Sequence, residues 1–173
     1  LLVALALCGL AAPAAAQVRV SVEEGHLNPM PIAIVDFLGA NPAAEQVGRD
    51  VAGVIRANLD RSGLFRPIAP NAFIERISAL AVGQVTPLPD GRIRIEFRLW
   101  DVLAQTSLTG FQYTTTPDNW RRIAHRISDQ IYQQLTGESG YFDTRIVFVS
   151  ETGPRTRRVK RLMLMDQDGA NPF

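Results

Sequence analysis

Few residues in this chain are of types that do chemistry, and fewer stand at spacings that would let them. Among 173 residues there are two histidines, His26 and His125, and a single cysteine, Cys8. Two distant histidines without close ligand spacing make no metal site. His125 is flanked by Arg121, Arg122, Ser128 and Asp129, on the face of a predicted helix that points away from its apolar stripe. A solvated surface histidine is expected there, because neither a nucleophile nor a carboxylate pair is placed to work with it. Asp36 closes the apolar run PIAIVDF, the strand end at which open α/β sheets often hold functional groups. The residues that follow, FLGANPAAEQ, carry a lone Gly39 and no phosphate loop, so Asp36 reads as structural. No serine sits in a nucleophile elbow and no paired-histidine zinc motif occurs. DQDGA lacks a third oxygen ligand at Ala170 and has Gly169 too early for a calcium loop, so it reads as a tight turn. The inventory predicts no enzyme, no cofactor and no metal.

The elements that must position these residues alternate in type. Ile32 to Phe37 suit a buried central strand. Asn41-Pro42 announces a helix with Glu45 in its first turn, and Val47, Val51, Val54, Ile55 and Leu59 mark one face at helical spacing. Arg61 and Gly63 end it. Leu64 to Ile68 form a short extended piece, and Pro70-Asn71 open a second, short helix carrying Phe73, Ile74 and Ile77. VGQVTPLPDGRIRIEFRLWDV reads as a hairpin turning at Asp90-Gly91, with Ile93, Ile95, Phe97 and Leu99 alternating with charged residues. Ser107 to Thr115 supply a third adjacent strand. Thr116-Pro117-Asp118 starts the last helix, whose stripe is Trp120, Ile123, Ala124, Ile127, Ile131 and Leu135, ending at Gly137. The order implies an α/β fold: a two-layer domain of a mixed β-sheet with two main helices.

Composition is that of a globular protein, 46% apolar and 20% charged, and a net charge of +1 demands neither nucleic acid nor an anionic membrane. The basic run PRTRRVKR lies between two strand patterns, RIVFVS and RLMLMD, and reads as a solvated hairpin loop. A nucleic-acid module using that loop, and a small-ligand domain built on Asp36, are the alternative readings. The start, LLVALALCGLAAPAAAQ, has the apolar core and small-residue cleavage pattern of a secretory signal, predicting export with cleavage after Ala16. It begins without Met, as part of a signal would. Leu7 before Cys8 does not fit a lipoprotein signal, so the mature chain would be a soluble periplasmic protein without a thiol.

Several stretches together, PIAIVDF, RANLDRSGLFRPI, FIERI, VGQV with PDGR, EFRLWDV, TPDNWRRIAHRISDQIYQQLTGESGYFDTRI and RLMLMDQDGAN, resemble the TolB family of the Gram-negative Tol-Pal envelope system. The resemblance implies an N-terminal α/β domain followed by a β-propeller, and an adaptor instead of an enzyme. It divides the chain into a signal remnant at 1–16, a partner-binding segment at 17–28, the α/β domain at 29–140 and the start of a first propeller blade, one β-hairpin, at 141–173. It implies that TolA is met by Gln17, Val18, Arg19, Val20, Ser21, Val22, Glu23, Glu24, Gly25, His26, Leu27 and Asn28. Val18, Val20 and Val22 alternate with polar residues, as a segment that adds to a sheet edge would. The family meets Pal through its propeller, supports outer-membrane integrity and constriction at division, and is exploited by imported bacteriocins. A monomer that does not span the membrane is expected, with Pal binding not expected of this stretch alone. Between FIERI and VGQV only Ser78 to Ala81 intervene, a connection shorter than is usual in the family.

Overall fold

A computed structural model of the chain describes residues 28–68 and 77–173. Its first strand, β1 (Met30–Ile34), is followed by the two-residue β2 (Leu38–Gly39), helix α1 (Pro42–Arg61) and strand β3 (Phe65–Ile68). Three longer strands come next: β4 (Ala79–Pro87), β5 (Ile93–Asp101) and β6 (Thr106–Thr115). A 3-10 turn at Pro117–Asn119 leads into helix α2 (Trp120–Thr136), and strands β7 (Arg145–Thr152) and β8 (Val159–Asp166) close the chain. The first six strands make one mixed sheet in the order β3-β1-β4-β5-β6, with β2 also on β4. β1 runs parallel to β3 and β4, whereas β4, β5 and β6 are antiparallel neighbours. Both helices pack on this sheet and against each other, closing a single apolar core. The two-layer α/β architecture predicted from the order of elements is the one found.

The apolar run PIAIVDF is not one unbroken strand. β1 stops at Ile34, the chain steps out at Val35-Asp36-Phe37, and β2 rejoins the same edge of β4 at Gln84 and Val85. The step seats the Phe37 ring: a Cβ on Gly83 would lie 2.5 Å from ring carbons, and one on Gly48 only 2.1 Å from the Phe37 carbonyl oxygen. Those two glycines let a phenylalanine fit between helix and sheet, and Phe37 is 2% exposed.

Helix α1 begins as predicted. Asn41 Oδ1 accepts from the Ala44 N–H at 2.8 Å, with Pro42 in the first turn. Gly63, just past its end, has φ +73°, the left-handed conformation glycine adopts without penalty. α2 differs from expectation at its start: Thr116 and Asn119 give it no side-chain cap, and the 3-10 turn supplies the entry through an Asn119 N–H to Thr116 carbonyl bond of 3.1 Å. Asp90-Gly91 is likewise not a two-residue turn. Leu88 still pairs with Arg92 at 2.8 Å, so the loop is Pro89-Asp90-Gly91, with Gly91 at φ +81° as the left-handed residue of a three-residue hairpin loop.

Ala79 to Ala81, read as part of a shortened connection, are the first residues of β4 and pair with Ile32–Ile34 of β1. The short helix expected from Pro70 lies outside the described residues, except Ile77, which is in coil just before β4. β7 and β8 form a separate two-stranded sheet. Phe142, beyond the expected domain boundary, is fully buried in the α/β core, where its ring meets Tyr132 at 5.8 Å.

Candidate functional site

Of the segment Gln17–Asn28, residues 17–27 lie outside the described residues; Asn28 is exposed and leads directly into β1, the strand between β3 and β4. Asp36 is held by Arg56, whose Nη2 donates at 2.5 Å while Nη1 donates to the Ile34 carbonyl at 3.1 Å. The pair pins the end of β1 to α1, the structural role its sequence suggests. On the hairpin, Glu151 binds Arg158 at 2.6 Å and Lys160 at 2.8 Å, so part of the basic run is neutralised across the two strands.

His125 overturns its sequence reading. It is 2% exposed, not solvated, because α1 and the β8 turn close over the side of α2 that its spacing leaves beside the apolar stripe. Arg121, His125 and Ser128 follow at i, i+4 and i+7, one row along α2. Asn58, four residues beyond Val54 on the apolar face of α1, meets this row. The turn after β8 brings Gln167 and Asp168 to the same place. Together they form a polar seat between two helices and the turn after β8.

The hydrogen bonds of the seat run in one direction. Arg61, a donor only, gives Nη1–H to Gln167 Oε1 at 3.2 Å. That turns the Gln167 amide nitrogen to Asn58 Oδ1, 3.0 Å away. The Asn58 amide nitrogen then faces His125 Nδ1 at 2.9 Å and Ser128 Oγ at 3.0 Å, and Ser128 donates to the Ala124 carbonyl at 2.9 Å. His125 Nδ1 is thereby an acceptor, and the ring proton of the neutral imidazole sits on Nε2. Among the described residues that nitrogen has no hydrogen-bond partner, and it stands 3.6 Å from Asp168 Oδ2. The same oxygen receives Arg121 Nε at 3.0 Å and Nη2 at 2.6 Å, while Asp168 Oδ1 accepts the Ala170 N–H at 3.1 Å.

Burial pushes the His125 pKa down; Asp168, Asp166 and Asp143 pull against it, and Arg121 adds to the fall. Burial alone would raise Asp168, yet the Arg121 and Ala170 hydrogen bonds, with the Arg121 and His125 charges, hold it below the usual carboxylate value. Asp129, on the next turn of α2, is raised by burial although it caps the Phe142 and Asp143 N–H groups at 2.7 and 3.1 Å. His125, Asp166 and Asp168 place one ligand-type atom each within 4.8 Å of one another. The donor set does not suit a cation: Arg121 already neutralises Asp168, and the orientation of Asn58 puts a proton on the nitrogen a metal would need. The seat is arranged to hold the turn after β8.

Residues 18–79 and 75–108 match the family described as the TolB amino-terminal domain, together more than half of the chain. The chain belongs to the TolB amino-terminal domain family. The two matched stretches overlap at residues 75–79. The crystal structure of TolB from Acinetobacter baumannii is similar with a TM-score of 0.67 at 28% identity, over 83% of this chain and 37% of that one. This chain therefore spans little more than a third of that TolB. The PelC dodecamer from Paraburkholderia phytofirmans covers 68% of this chain and 96% of its own at 16% identity, but its TM-score of 0.48 carries no argument. In this TolB-family chain the seat is the place where the hairpin after the amino-terminal domain meets it. Asn58, Ser128 and Gln167 were not legible as site residues, though polar side chains on or beside a buried helical stripe were the available signal.

Proposed function

We propose that this chain serves the Tol-Pal envelope system as a periplasmic protein–protein adaptor, not an enzyme, and that Gln17–Asn28 are the residues that meet TolA. Family membership carries the reading, since the match begins at residue 18 and takes in all of that segment but its first residue. Asn28, the last residue of that segment, stands just before β1. In this reading residues 1–16 direct export, 29–140 are the TolB amino-terminal domain, and 141–173 open the first blade of the propeller through which the family meets Pal. Pairing beyond β8 supports the blade assignment: Leu164 and Phe173 exchange two backbone hydrogen bonds of 2.9 Å, and Asp166 N–H donates to the Ala170 carbonyl at 2.9 Å, the beginning of a third strand. The cellular outcome is support of outer-membrane integrity and of constriction at division. Among the described residues no helix is long and apolar enough to cross a membrane.

Calorimetric titration with the TolA domain tests the assignment. Deleting 17–28 is expected to abolish binding while circular dichroism shows the α/β domain still folded; unchanged TolA affinity would sink it.

A further inference from the structure

The contacts between hairpin and helices have a consequence for pH. We infer that the polar seat is a proton-operated latch, in which protonation of His125 releases the turn after β8, and with it the β7–β8 hairpin, from α1 and α2. The groups facing the ring come from every element around it: Asn58 from α1, with Arg61 behind it; Arg121, Ser128 and Asp129 from α2; Asp143 from the loop before β7; Asp166 from the end of β8; and Gln167 and Asp168 from the turn after it.

Above its titration the neutral ring fits this set. Its Nδ1 accepts from Asn58, and that amide is held in the only orientation in which its oxygen can also accept from Gln167. A second ring proton must go on Nδ1, where it meets the Asn58 NH2 group head-on. Rotating the Asn58 amide would relieve that clash but set its NH2 against the Gln167 NH2, 3.0 Å away in the docked state. Rotating Gln167 in turn would set its NH2 against Arg61, which has no acceptor to offer. One proton thus undoes the whole row. The imidazolium gains little on its other side, because the Asp168 oxygen it faces already takes two donors from Arg121, and that guanidinium repels it.

Lifting the hairpin resolves the conflict. With Gln167 and Asp168 gone, Asn58 can rotate freely and His125, on the flank of α2, regains water. Its pKa then returns toward the ordinary 6.5, above the depressed value of the docked state. The undocked state therefore binds the proton more tightly. Docking is at full strength above that ordinary value and declines as pH falls from it to the docked value, by up to about tenfold per pH unit for one proton. Asp168 has its own, separate effect: its docked pKa is depressed below 3.8, so its contribution is present above that value and is lost only in much stronger acid. A loss of docking that sets in as pH falls below the ordinary histidine value, and above the carboxylate range, belongs to the histidine.

The test is NMR of the full chain, reading the His125 ring nitrogens and the nuclear Overhauser contacts from the ring to Gln167 and Asp168. At about pH 7.5 the ring should be the Nε2–H tautomer with those contacts present; on acidification below the ordinary histidine value they should fade in step with ring protonation. An Nδ1–H tautomer at the higher pH, or contacts that persist once the ring is protonated, would overturn the latch. A second reading uses His125→Gln, which cannot titrate. Amide exchange of β7 and β8, corrected for intrinsic rates, should quicken on acidification in the wild type by up to about tenfold per pH unit and stay level in the variant. Equal acceleration in both proteins would assign the effect to other groups and overturn the latch.

Discussion

The α/β domain and the β7–β8 hairpin are built from similar strand patterns and held by different physics. In β5, Ile93, Ile95, Phe97 and Leu99 alternate with charged residues, and all four are buried under the helices. In the hairpin, Ile146, Val147, Val149, Val159 and Leu162 remain between 40% and 74% exposed. The domain is secured by a continuous apolar core that includes Ile55 and Leu59 of α1 and Ile127 and Ile131 of α2. The hairpin is tied to the domain at its open end, where the turn after β8 sets Gln167 on Asn58 and Arg61 and Asp168 on Arg121. The difference shows that strand alternation fixes which residues share a face, whereas the covering of that face decides the energy.

The largest expected effect lies in the core. Leu59→Ala, at a fully buried position, should cost about 2–5 kcal/mol of domain stability in urea unfolding. A cost near zero would break the comparison from the side of the domain. The next is Asp168→Asn, which keeps the shape of the side chain but removes the charge that Arg121 binds. It should weaken docking of the hairpin by about 1–3 kcal/mol, seen as faster amide exchange in β7 and β8, with the melting of the domain little changed. A fall of the whole transition by the same amount would show the turn after β8 to be part of the cooperative core. The smallest is Leu162→Ala, at 74% exposure, expected to shift unfolding by no more than about 0.5 kcal/mol. A loss as large as that of Leu59→Ala would mean that the outer face of the hairpin is covered after all.

Helix α1 was legible because its signals are local: an Asn cap, a proline in the first turn, an apolar stripe and a glycine past the end. The hairpin strands were legible for the same reason, through alternation and turn glycines. The break after Ile34 was not, since it depends on Gly48 and Gly83, far along the chain, making room for Phe37. His125 was misread because helical spacing shows a side chain to be off the main stripe but not that a second helix and a turn 43 residues later will close over it. Asn58 escaped notice for the converse reason: it lies on the apolar stripe, where a single amide looks like an interruption until its partners on α2 and the hairpin are seen. The segment 17–28 is proposed as a partner site through resemblance to the TolB family, not from its own residue pattern.

Native-state amide exchange in low concentrations of urea tests the division most directly. Amides of β1 and β5 should exchange only through global unfolding, with rates that climb steeply as urea is added. Those of β7 and β8 should exchange through a local opening of lower free energy that urea barely affects. Coincident free energies and urea dependences for the two sets would contradict the account, because hairpin and domain would then open as a single unit.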